Sequence, residues 1–221
     1  MSGTVLAVCV STDDVEVATV GASAIDKRPT PGRVPVTELG LVTDHVCDTT
    51  HHGGVDQAVY AYDDAEAQRW ARELGRDLPY GWFGENLRVA GHSVTDAVVG
   101  ERWSVGADGL LLEVTIPRTP CRTFAVWAAE ENWIKRFHQR ADVGTYLRVV
   151  QPGTVGAGDP ITVISRPDHG VTVRQLHVGA ATPGDLAGLL AGPDLPVKVE
   201  RDARKVFRRH PTRPGHDPLE R

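Results

Sequence analysis

The chain has 221 residues, enough for one ordinary domain with a small appendage, and 41% are hydrophobic, enough for a real core. A formal net charge of −5 excludes a general nucleic-acid or anionic-membrane binder, which needs a basic excess. Three cysteines, Cys9, Cys47 and Cys121, fit a reducing compartment and fall short of the four thiolates of an ordinary iron–sulfur cluster.

Strand signals dominate as far as Ser165. Runs rich in β-branched residues, punctuated by Gly, Pro and Asp, predict strands over Val5–Val10, Val15–Ile25, Gln57–Tyr62, Leu87–Ala90, Arg102–Val105, Leu110–Ile116, Tyr146–Val150 and Ile161–Ile164. Short strands at irregular spacing predict a closed or partly closed barrel, mainly β with helices (α+β). Neither βα alternation nor a Gly-rich phosphate loop supports a dinucleotide fold. Asp63-Asp64 caps a predicted helix to Leu74, with Ala67, Trp70, Ala71 and Leu74 on one face, and a second helical patch covers Ala125–Gln139.

From Pro167 the pattern changes to three short helices, Val173–His177, Pro183–Leu190 and Lys198–Arg209. Thr182 before Pro183 reads as a cap followed by a first-turn proline. Ala203, Val206, Phe207 and His210 repeat at helical spacing. The expected division is a barrel domain over 1–166 and a helical appendage over 167–221, with a frayed polar tail at Pro211–Arg221. The start Met1-Ser2-Gly3-Thr4 lacks a positive n-region and Val5–Val10 is too short to span a membrane, so a soluble cytoplasmic protein is expected.

The densest chemistry lies in Pro117-Arg118-Thr119-Pro120-Cys121-Arg122, directly after an apolar strand. Two prolines stiffen the loop, and two guanidinium groups beside a thiol favour its ionised form. Only Lys27, Lys135, Lys198 and Lys205 are lysines, so a basic pocket here is built mostly from forked guanidinium groups suited to phosphate. The stretch Gly40–Gly54 carries Asp44, His45, Cys47, Asp48, His51 and His52. Its residue types could ligate zinc but its spacing matches no common zinc motif, and by itself the stretch reads first as a polar loop closed by Gly53-Gly54. Tyr80–Leu87 reads as a pocket wall with Asn86 as its polar member, or as a turn entering a strand. Arg148 interrupts the apolar run Tyr146–Val150 and needs a partner if buried.

Taken in order, several motifs resemble the MOSC domain family and, within it, the bacterial YiiM-like branch. They are Ser23–Lys27, Gly40–Asp44, His52-Gly53-Gly54 with Ala58–Tyr62, Phe83–Leu87, Gly100–Trp103, Pro117–Cys121, and Tyr146–Val149 with Pro152-Gly153 and Gly158-Asp159. The resemblance spans residues 20–165, and the C-terminal helices look like the three-helix appendage that branch often carries. Thr43 stands where the family usually has glycine, and Thr145 where many relatives have tryptophan.

The family is named for a domain of molybdenum cofactor sulfurase. The resemblance implies a barrel-like domain holding a molybdenum–pterin cofactor, with Cys121 as thiolate ligand to the metal. Related enzymes reduce N-hydroxylated compounds, hydroxylamino-purines and amidoximes among them, to the amines. On that reading Cys121 and His52 are catalytic, and Lys27, Arg28, Asp44, Glu85, Asn86, Arg118 and Arg148 bind the cofactor. Electrons then come from a separate flavoprotein or iron–sulfur reductase, because this chain has no flavin motif and too few cysteines. Two alternatives stay open. One is a non-catalytic carrier of the cofactor or of sulfur; the other is a zinc-binding domain using the Asp44–His52 loop with Asp44, Cys47, His51 and His52.

Overall fold

Leu110, Leu112, Val114 and Ile116 are buried on one side of their strand, while Leu111 and Glu113 are only half-buried on the other. This two-residue period makes strands with one apolar face, which a barrel buries without leaving a sheet edge exposed. The computed structural model describes residues 2–49 and 52–208; His51, Arg209, His210 and the tail Pro211–Arg221 lie outside them.

In chain order the first strands are β1 (Ser2–Val10), β2 (Val15–Val17), β3 (Gly21–Ser23), β4 (Arg28–Pro29), β5 (Arg33–Thr37) and β6 (Gly40–Leu41). A single 3-10 turn, Val55–Gln57, precedes β7 (Val59–Asp63), α1 (Asp64–Leu74) and β8 (Leu87–Ala90). Next come β9 (Arg102–Val105), β10 (Leu110–Pro117), α2 (Arg122–Ala128), α3 (Trp133–Arg140) and β11 (Thr145–Gln151). The chain continues through β12 (Gly153–Gly156), β13 (Pro160–Ser165), α4 (Val173–Val178), α5 (Pro183–Leu190) and α6 (Val197–Phe207).

Seven strands close the barrel in the order β13-β9-β10-β11-β7-β8-β1, and β1 returns to β13. The long β1 makes this possible, because Ser2–Thr4 pairs with β13 while Thr4–Val8 pairs with β8 across a bulge. All neighbours are antiparallel except β7 and β8, which are parallel and joined through α1. Asp63 caps that helix by accepting from the Ala65 N–H, and Gly75 ends it in the left-handed conformation. Trp70 of α1 lies 4.6 Å from Trp133 of α3, and Trp82, Phe83, Phe124 and Phe137 complete an aromatic core beside the barrel.

Three expectations need correction. Val15–Ile25 is a hairpin of two short strands, because Thr19 (φ 63°) and Gly21 (φ 103°) turn the chain back. The patch Ala125–Gln139 is two helices, stopped and restarted where Ala129 and Asn132 both take φ 54°. The last helix begins at Val197 and ends at Phe207. The small sheet β12-β5-β6 went unread, since it pairs Gly153–Gly156 with residues 33–36, far away in sequence.

Thr172 and Gln175 form a reciprocal capping box on α4, and Thr182 caps α5 ahead of Pro183. The helices share one buried cluster with the barrel, through Val171, Val173, Leu176, Leu186, Leu189, Val199 and Ala203. Arg174 ties them down electrostatically, reaching Glu66, Asp96 and Asp142. Among the described residues no helix is long and apolar enough to cross a membrane.

Candidate functional site

Strand β10 runs into Pro117, and the loop Arg118–Pro120 delivers Cys121 to the N-cap position of α2. Burial alone would raise the Cys121 thiol. A hydrogen bond from His52, the charge of Arg118 and the Phe124 N–H at the start of α2 outweigh it and bring the pKa down to about 6. Cys9 shows the opposite outcome, pushed up to about 12 mainly by burial. Cys121 is therefore a thiolate at neutral pH.

Arg118 is 6% exposed and its guanidinium carbon lies 3.7 Å from the Phe124 ring centroid, with those of Tyr60 and Phe137 at 5.6 and 5.8 Å. It interacts with the Tyr146 hydroxyl, yet its Nη1 is buried with no hydrogen-bond partner. A buried guanidinium with a spare donor costs free energy unless an anion meets it.

Cys121, Arg118, His52 and Lys27 open on one cavity of about 450 Å³, lined also by Tyr60, Tyr146 and Gly84 and by Val20, Ala22 and Ser23 of the β2–β3 hairpin. Arg122 holds the hairpin through a 3.1 Å bond to Thr19 Oγ1. A second hollow of about 510 Å³ shares Lys27, His52, Tyr60 and Tyr146 and extends toward Asp44, Asn86 and Gln57. Tyr60 of β7 and Tyr146 of β11 are directly paired, so the barrel itself supplies this wall.

Lys27 is held by both carboxylate oxygens of Asp44 at 2.5 Å, with the two side chains only 9% and 11% exposed. Ser11 N–H and Asn86 Nδ2 also donate to Asp44, at 2.9 and 2.7 Å. Asn86 accepts in turn from the Tyr60 N–H. Gly81 permits this arrangement, because at φ 88° a Cβ there would sit 2.0 Å from the Lys27 carbonyl oxygen. Thr43 needs no positive φ in this loop, so the expected glycine has no conformational role there.

The remaining expected site residues are placed elsewhere. Glu85 is fully buried, accepting from the Gly81 and Phe83 N–H groups and pairing with Arg88, and so organises the aromatic turn. Arg28 is turned to solvent and paired with Asp26. Arg148 lies two residues beyond Tyr146 on β11, and Asp56 of the 3-10 turn holds it at 2.5 Å. Asp44 of the expected zinc set is committed to Lys27, His51 lies outside the described residues, and His52 faces Cys121.

Sequence reading left out Tyr60, Tyr146 and the β2–β3 hairpin as parts of the site. The alternation of Tyr60 with Tyr62 and the lone Tyr146 were the available signals, but nothing local joins them.

Comparison with known proteins agrees with this architecture. The family model described as the MOSC domain matches residues 48–162. YflK of Bacillus subtilis is 30% identical over 152 residues, covering 69% of this chain and 68% of that one. Protein YiiM of Escherichia coli is 31% identical over 158 residues, with the same coverage. A protein of Gibberella moniliformis named Reductase is 30% identical over 148 residues, but these cover only 26% of its length. Among solved structures, YiiM of Geobacillus stearothermophilus superposes with a TM-score of 0.74 at 22% identity, covering 93% of this chain and 99% of that one. YiiM of Escherichia coli superposes at 0.71 with 25% identity, covering 95% and 94%. With its closed seven-stranded barrel, its Arg118–Cys121 loop and these relatives, the chain belongs to the MOSC domain family.

Proposed function

We propose that this protein is a molybdenum-dependent reductase of N-hydroxylated compounds, of the hydroxylamino-purine or amidoxime type, working with a separate electron-donating reductase. The observation that carries the reading is the pairing of an ionised Cys121 with the orphaned Nη1 of Arg118 on one cavity. A soft thiolate suits molybdenum, and a buried guanidinium lacking a partner suits the anionic end of a pterin cofactor. The residues present thus fit the group: Cys121 as metal ligand, Arg118 as anion contact, and Lys27 held by Asp44 on the same wall. The name Reductase, borne by a relative that matches over a quarter of its length, supports the same direction.

When bound, such a group supplies two-electron removal of oxygen from an N–OH function, which with two protons leaves an amine and water. This chain's own contribution is positional and protic. His52 lies against the Cys121 sulfur and lines both hollows, within reach for proton transfer to a group bound there. Tyr60 and Tyr146 form a wall for a planar substrate, and the β2–β3 hairpin lines the opposite part of the same cavity through Val20, Ala22 and Ser23.

The test is metal analysis of wild type and Cys121→Ser, both produced in a host that makes the cofactor, followed by turnover of an amidoxime with an added electron donor. Molybdenum and turnover in the wild type, both lost in the variant, are expected. Molybdenum without turnover for any donor would establish a carrier instead, and wild-type molybdenum in Cys121→Ser would overturn the ligand assignment.

A further inference from the structure

We propose that Asp14, His45 and Cys47 form a second metal site, for a single zinc-class divalent cation, at the rim of the Cys121 cavity. Asp14 lies in the loop between β1 and β2, and His45 and Cys47 lie in the loop after β6, more than thirty residues on. Folding nevertheless brings one carboxylate oxygen, one imidazole nitrogen and one sulfur to within 4.8 Å of one another. Among the described residues no other three such side chains converge in this way.

The orientation of His45 suits a metal ligand. Its Nδ1 lies 3.1 Å from the Ser11 carbonyl oxygen, which can only accept, so Nδ1 carries a proton. Its Nε2 is turned to Asp14 Oδ1, 2.5 Å away. A ring nitrogen oriented by a backbone carbonyl, with the other turned to a cluster of donors, is the arrangement metal-binding histidines require. The Cys47 sulfur also faces Oδ1, at 3.1 Å, and the Ala24 N–H turns toward it.

One carboxylate, one imidazole and one thiolate make a borderline donor set suited to zinc, with a fourth position left for water. Binding expels the thiol proton of Cys47 to solvent and forms a sulfur–metal bond, with no change of oxidation state. The ion would join the β1–β2 loop to the loop that carries His52 to Cys121. Ser11, whose N–H holds Asp44 and whose carbonyl holds His45, links this site to the Lys27 pair. Since His45 and Cys47 also line the cavity, the ion fixes its rim.

The test is a titration of the chelator-treated full-length protein with Co²⁺, then competition with Zn²⁺. One equivalent of cobalt with a thiolate charge-transfer band and tetrahedral ligand-field bands, displaced by zinc, is expected. Cys47→Ser should abolish the band, and Asp14→Asn and His45→Gln should each weaken binding by more than the ~10–100-fold that an outer-shell loss costs. Cys121→Ser should leave it unchanged, which separates this site from the molybdenum reading. No cobalt bound, a band that survives Cys47→Ser, or a band lost in Cys121→Ser would each overturn the proposal. Unchanged circular dichroism and thermal unfolding in the cobalt-free variants confirm that lost binding is not lost folding.

Discussion

Arg118 lies 3.7 Å over the ring of Phe124, and the backbone N–H of that same Phe124 faces the Cys121 sulfur. One turn of α2 therefore seats the cation and stabilises the thiolate. The ring holds the guanidinium without satisfying its hydrogen bonds, leaving Nη1 unpartnered.

Arg118→Met should separate binding from stability. Among the described residues Arg118 has no carboxylate partner, so an apolar side chain of similar volume removes an uncompensated buried charge rather than breaking an ion pair. The variant should melt no lower than wild type while retaining less molybdenum, and its Cys121 pKa should rise above about 6. A lower melting temperature with unchanged molybdenum would make this arginine purely structural.

Cys121 reactivity should follow its ionisation. In the metal-free protein carrying Cys47→Ser, the rate of iodoacetamide alkylation against pH should reach half its plateau near pH 6. The unfolded thiol titrates near ~8.5, so the folded value is depressed. Its stabilising contribution is complete above that pH and lost as pH falls through about 6. His52→Ala removes the principal stabilising hydrogen bond and should move the midpoint upward. A wild-type midpoint between 8 and 9, the ordinary thiol range, would contradict the arrangement.

Asp44→Asn strands Lys27 among buried groups without its counter-charge. Removing one partner of a buried pair costs about 3–5 kcal/mol, and at 9–11% exposure the lower end applies. Urea unfolding should show a loss of about 3 kcal/mol, largely recovered in Asp44→Asn with Lys27→Met. Equal losses in the single and double variants would mean the two residues act independently.

Arg174→Met should loosen the C-terminal helices from the barrel. Arg174 bridges Glu66, Asp96 and Asp142 and also donates to the Ala141 carbonyl, while remaining 28% exposed. Solvent screening lowers the expected loss to about 2 kcal/mol. Limited proteolysis should then cut first after residue 170; unchanged cleavage would show that apolar packing alone anchors these helices.

Much of the barrel was legible because its rules are local. Leu87–Ala90 and Arg102–Val105 carry their own β-branched or alternating pattern, and Asp63, Thr182 and Pro183 cap helices from adjacent positions. Short elements with non-local partners were not legible: β4 and β6 have only two residues each, and β5 and β12 pair with each other from far apart in sequence. At the site, Cys121 stood out through its proline loop and basic neighbours. Glu85, Asn86 and Arg148 carried only their residue types, and their partners Arg88, Tyr60 and Asp56 emerge from the fold.

The sequence alone determined a cysteine on a stiff basic loop after an apolar strand, because proline geometry and charge act over a few residues. Tertiary structure alone decided that Arg118 keeps a spare donor while Lys27 is neutralised by Asp44. It alone brought Asp14 to His45 and Cys47. The physical reason is that a buried polar side chain is defined by the groups it meets, and strand pairing across the closed barrel chooses those groups.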